Sequence, residues 1–137
     1  MSYTIKELQI GQSATFTKTI AESDVYLFAG VTGDFNPAHV NAPYAEGTFF
    51  KERIAHGMLS ASLISTVLGT KLPGQGSIYA EQKVSFRSPV HFGDTITAKV
   101  EVEEIVLEKN RVKMKTTCTN QDGTVVLDGY AIILPPK

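Results

Sequence analysis

Within the run Gly33-Asp34-Phe35-Asn36-Pro37-Ala38-His39 the chain places a carboxylate, a carboxamide and an imidazole close together. On a regular helix Asp34 and His39, five positions apart, would point about 140° away from each other, so helical spacing cannot make them meet. A turn can. Pro37 fixes its own φ and pushes Asn36 toward an extended conformation, which sets the direction of the side chains on either side. An Asp/His pair held in this way can keep one water between an acceptor and a donor, as general acid–base catalysis requires. Taken alone, the segment also reads as an ordinary turn, because Asp, Asn and Pro are common there. Its neighbours in the chain decide between the two readings.

The first neighbour is His56-Gly57, directly before a long apolar stretch. The first N–H groups of a helix lack internal partners and carry partial positive charge, so an amide at Gly57 can receive a carbonyl oxygen that is gaining negative charge. The bare alternative is that Gly57 starts the helix and His56 packs beside it. Ser60, Ser62, Ser65 and Thr66 are the polar exceptions in that stretch, and hydroxyls in a buried helix usually bond to the preceding turn. His91 precedes the Gly93-Asp94 turn and reads as a loop histidine. Cys118, the single cysteine, lies in the alternating stretch VKMKTTCT and reads as a strand residue rather than a nucleophile. Three scattered histidines and one cysteine show no zinc-ligand spacing, and there is no GxGxxG, GxxxxGK[ST] or GxSxG, so neither a metal nor a nucleotide cofactor is expected.

Periodicity gives the scaffold around these groups. Residues 57–70 are apolar around most of a helical circumference, which predicts a helix buried nearly all round and roughly 20 Å long. Gly69 and Leu72-Pro73-Gly74 are its stop signals. After it the period becomes two: Ile96, Ala98, Val100 and Val102, then Val112, Met114, Thr116 and Cys118, with partial repeats over 77–86 and 124–134. Gly93-Asp94, Lys109-Asn110 and Asp122-Gly123 supply the turns. Residues 13–20 read as a first strand, and Val25, Phe28, Ala29 and Thr32 mark a short amphipathic helix for which Ala21 is a poor cap. Residues 33–48 are rich in turn formers and are expected to be irregular. One buried helix followed by antiparallel strands gives an α+β class, with a sheet curled around the helix.

A length of 137 residues, with 42% hydrophobic and 20% charged residues, fits one globular domain over 1–137. A formal net charge of -1 with both signs mixed along the chain offers no footprint for nucleic acid. The N-terminal residues lack the pattern of a signal peptide and no apolar run reaches the roughly 20 residues of a spanning helix, so a soluble cytoplasmic protein with no membrane partner is expected.

These residues resemble the MaoC-like hydratases, and among them the short (R)-specific enoyl-CoA hydratases. The similarity runs from Phe28-Ala-Gly-Val-Thr-Gly-Asp34-Phe-Asn-Pro-Ala-His39 and Ala45 through Arg53-Ile-Ala-His-Gly-Met-Leu59, Leu72-Pro-Gly-Gln-Gly-Ser-Ile-Tyr79 and Ser85-Phe86 to Phe92-Gly-Asp94. Ala38 departs from the larger aliphatic residue usual there, which touches local packing rather than chemistry. The resemblance implies a hot-dog fold, an antiparallel sheet wrapped around a long central helix, with two protomers forming a homodimer. It also implies that Asp34 and His39 activate the water, that the Gly57 amide polarises a thioester carbonyl, and that Asn36 and Ser65 support the pair. Leu68 and Ile133 are expected to line an acyl tunnel. The implied substrate is an acyl-CoA thioester, with coenzyme A part of the substrate and no separate cofactor. The absence of an appended helix or second repeat leans toward short acyl groups. Which of Asp34 and His39 is the base stays open, and an acyl carrier protein thioester is an alternative substrate. An acyl-CoA thioesterase and a non-catalytic acyl-thioester binding protein are the rival functions. The complete Gly-Asp-x-Asn-Pro-x-His segment counts against both.

Overall fold

Alternating burial builds the sheet. In the computed structural model, which describes residues 2–137, the strands are β1 (Ser13–Thr19), β2 (Ile78–Phe86), β3 (Thr95–Val106), β4 (Arg111–Thr119) and β5 (Val125–Leu134). They form one antiparallel sheet in the order β1-β3-β4-β5-β2. Ile96, Ala98, Val100 and Val102 of β3 and Val112, Met114, Thr116 and Cys118 of β4 are fully buried, as their period-two spacing predicts. Asn110, at φ 47, reverses the chain between β3 and β4. Between β4 and β5 the Asn120 side chain accepts from the Asp122 and Thr124 amides. A bulge between Val102 and Glu104 ends the strict alternation of β3.

The long helix forms where expected. The helices are α1 (Glu22–Thr32), α2 (Pro37–Val40), α3 (Ala42–Glu46) and α4 (Gly57–Thr70), and α4 lies across the sheet against all five strands. Its Ser60, Ala61, Leu63, Ile64, Val67 and Leu68 are buried. Full burial of a side chain such as Leu68 contributes about 1.5–3 kcal/mol. The helix ends at Thr70, where Lys71 leaves the helical conformation, and Gly74, at φ 94, then returns its amide to the Leu68 carbonyl.

Two expectations need correction. The helix is not buried all round: Met58, Ser62, Ser65 and Gly69 form an exposed stripe, because the sheet covers only one side. Residues 33–48 are not irregular either, since they hold α2 and α3. Their turn formers act as helix starts: the Asn36 side chain accepts from the Ala38 amide and that of Asn41 from the Tyr44 amide, with a proline in each first turn. Ala21 brings no capping oxygen to α1, and the Asp24 carboxylate compensates by accepting from the Ala21 amide at 2.8 Å. No helix among the described residues is long and apolar enough to cross a membrane.

Candidate active site

Helix α1 ends at Gly33, whose φ of 82 turns the chain out over the start of α4. The next six residues are tied down locally. The Asp34 amide donates to Thr32 Oγ1 at 3.1 Å, and Asp34 Oδ1 accepts from the Asn36 amide at 3.2 Å. The Asn36 carbonyl accepts from the His39 amide at 2.9 Å, so both candidate catalytic residues are bonded to the backbone of Asn36. Arg53 fastens the far end of the segment to α1 by pairing with Glu22 at 2.9 Å and contacting the Tyr26 hydroxyl. The Tyr26 hydroxyl and the Arg53 guanidinium, both bonded to the Glu22 carboxylate, hold it below the usual carboxylate range.

The imidazoles are oriented by carbonyl oxygens. His39 Nδ1 donates to the Ile54 carbonyl at 2.7 Å, since that oxygen can only accept, and this tautomer leaves a lone pair on Nε2. His56 Nε2 donates to the backbone carbonyl of Asp34 at 2.9 Å, and the Asp34 carboxylate lies 4.0 Å from the same nitrogen. The His39 and His56 rings stack with centroids 3.9 Å apart. Asp34, with its side chain half exposed, has one carboxylate oxygen left for a ligand.

Asp34, His39, His56, Gly57 and Ser60 share the wall of one cavity of about 490 Å³ with Phe49, Phe50, Ile54, Met58, Phe86 and Leu127. Gly57 opens α4, and its cap residue His56 makes no side-chain bond to the first turn. The start of a fourteen-residue helix therefore lies at the cavity with no side-chain capping bond to its first amides. A side chain at 57 would meet the Phe86 ring at 2.6 Å, so glycine permits close approach here.

Asp34, His39 and His56 also bring one potential ligand atom each within 4.8 Å of one another. One nitrogen of each ring is already engaged with a carbonyl oxygen, His39 Nδ1 with that of Ile54 and His56 Nε2 with that of Asp34.

Other expected site residues fall elsewhere. Ser65 is exposed and lines a separate groove with Tyr79, Gln82 and Val84 of β2, away from the Asp/His pair. Leu68 and Ile133 are buried in the core, and neither is among the residues around the cavity that holds Asp34 and His39. The hydroxyl of α4 that does line it is Ser60, five residues before Ser65 and so about 140° away around the helix. Sequence reasoning gives Ser60 and His56 no more than a packing role. Their spacing of four, which puts both on one face of the helix start, is the signal that could have found them. Cys118 is buried, its thiol pushed up to about 12 by burial and its sulfur 3.6 Å from the Ser60 carbonyl, as befits a core residue.

The chain is similar to known proteins over nearly its whole length. The family model described as "MaoC like domain" matches residues 6–124. An (R)-specific enoyl-CoA hydratase of Rhodospirillum rubrum is 56% identical over 131 residues, covering 96% of this chain and 90% of that protein. A 3-hydroxybutyryl-CoA dehydratase of Methylorubrum extorquens is 46% identical, with coverage of 96% and 83%. The unliganded R-hydratase PhaJ1 from Pseudomonas aeruginosa superposes with a TM-score of 0.93 at 51% identity, over 98% of this chain and 86% of that one. The sheet wrapped on α4 is the hot-dog fold, and this chain belongs to the MaoC-like family.

Proposed function

We propose that this chain is an (R)-specific enoyl-CoA hydratase, adding water reversibly to a trans-2-enoyl-CoA to give the (R)-3-hydroxyacyl-CoA. The observation that carries the reading is the meeting, on one cavity wall, of the Asp34/His39 pair with the uncapped start of α4 at Gly57. The names of the relatives at 56% and 46% identity support it.

The chemistry follows from the parts. A conjugated thioester is electrophilic at C3, and attack there moves charge onto the carbonyl oxygen. The Gly57 amide stabilises that charge as it develops. A water held between His39 Nε2 and the free oxygen of Asp34 adds its hydroxyl to C3. The proton it surrenders to the pair is delivered to C2, so the pair ends as it began. Atoms balance and no electrons are transferred, so the reaction requires no redox cofactor. By microscopic reversibility the same groups dehydrate the hydroxyacyl thioester.

With trans-2-butenoyl-CoA the expected result is loss of the enoyl chromophore without release of thiol, and a product oxidised by an (R)-specific but not an (S)-specific 3-hydroxyacyl-CoA dehydrogenase. Stoichiometric thiol release would move the assignment to thioesterase.

The proposal includes a homodimer. Edge strand β2 leaves Ile78 and Phe86 more than half exposed beside the open stripe of α4, a surface that a second copy would cover. A monomer in sedimentation at micromolar concentration would contradict it.

A further inference from the structure

We propose that His56 is a positioning residue for the hydration reaction, which fixes the Asp34/His39 pair against the start of α4; this rests on the hydratase reading above. His56 is 2% exposed and touches every part of the machinery. Its Nε2–H holds the Asp34 backbone carbonyl at 2.9 Å, its ring lies on that of His39 at 3.9 Å, and its other side meets Phe28 of α1 at 4.9 Å. Its own backbone is the cap of α4, one residue before the Gly57 amide. One rigid ring thus sets the distance between the water-holding pair and the donor to the thioester oxygen. Displacement of reacting groups by about 1 Å is enough to cost about 10²-fold in rate.

The other ring nitrogen argues that His56 is there for geometry rather than stability. Nδ1 is buried with no hydrogen-bond partner among the described residues. Buried polar atoms are nearly always bonded, and leaving one unpaired is unfavourable. A phenylalanine would fill the space between Phe28 and His39 without stranding a nitrogen. It would lose only the bond from Nε2 to Asp34.

That difference separates positioning from packing. His56→Phe should keep a melting temperature at or above that of the parent, while kcat on trans-2-butenoyl-CoA falls by about 10-fold or more and KM stays within about twofold. His56→Gln, whose amide N–H reaches toward the same carbonyl, should recover part of kcat despite losing the ring. In long-range proton–nitrogen spectra of the unmodified protein, His56 should carry its proton on Nε2 and His39 on Nδ1. Parental kcat in folded His56→Phe, a kcat loss that tracks the loss of stability, or the opposite tautomers would overturn the proposal. A parent protein that leaves the enoyl chromophore intact would instead sink the hydratase reading, while the spectra still decide whether His56 orients His39.

Discussion

In β4 every second side chain is fully buried, whereas between Gly33 and Ala55 only Ala45, Ile54 and Ala55 are buried. The strand is held by ladders on both sides and by apolar contact with α4. The overhanging segment is held by polar bonds: side-chain caps from Asn36 and Asn41, Thr48 Oγ1 to the Ala45 carbonyl at 2.6 Å, the Ile54 amide to the Ala38 carbonyl at 3.2 Å, and His39 to Ile54. Burial fixes a fold cooperatively but supplies little chemistry, because apolar side chains neither accept nor donate protons. A polar overhang does the reverse: it leaves Asp34 open to a ligand while aiming it, and adds little to stability. Substitutions in the body should therefore register in melting, and those in the overhang in turnover.

The largest effect is expected at Gly129 in β5. A Cβ there would lie 1.8 Å from the Lys83 backbone carbonyl of β2, and a backbone atom in a paired strand cannot step aside as a side-chain tip can. Gly129→Ala should cost more than about 4 kcal/mol, enough to abolish the cooperative melt of a marginally stable domain. A parental melting temperature would show that the β2–β5 pairing yields easily, and would weaken the contrast between the regions.

Next in size is a matched pair. Leu68→Ala leaves a cavity in the core and should cost roughly 2–5 kcal/mol in denaturant unfolding, with kcat and chain-length preference unchanged because the side chain does not line the catalytic cavity. Asp34→Asn should do the opposite, lowering kcat by at least about 10²-fold, or about 2.7 kcal/mol in the barrier, at unchanged melting temperature. His39→Ala should match it in turnover. A shift in chain-length preference for Leu68→Ala would place this side chain at the acyl site. Near-parental turnover for Asp34→Asn would remove the carboxylate from the mechanism.

The same division explains what can be read from the sequence. Helix α4 and strands β3 and β4 are legible because their periods of 3.6 and two persist over enough residues to stand out. Helices α2 and α3 are not, since at four and five residues they complete barely one turn each. Asn36 and Asn41 have the same composition signal whether they make a turn or cap a helix. Asp34 and His39 are legible as a local motif. The contact between His39 and His56 spans seventeen residues and depends on how the overhang folds back over α4, which local pattern does not encode. The site roles of Ser65 and Leu68 come from family resemblance, and the orientation of α4 against the sheet puts one in the β2 groove and the other in the core.

The smallest effect tests how the overhang itself is aimed. Asn36 contributes three bonds: its side chain caps α2 through the Ala38 amide at 3.0 Å, its own amide reaches Asp34 Oδ1, and its carbonyl receives the His39 amide. Only the first belongs to the side chain. Asn36→Ala should therefore cost about 1 kcal/mol of local stability as a lost cap, while the two backbone bonds and the constraint from Pro37 persist. If that loss loosens the pair, kcat falls about fivefold, the rate equivalent of about 1 kcal/mol, with KM little changed. Asn36→Asp retains an acceptor at the cap and should restore most of the rate. A fall as large as that of Asp34→Asn would mean that the cap, rather than the backbone of the Asn-Pro turn, aims the pair. No fall at all would assign the aiming to the backbone and to the imidazole contacts alone.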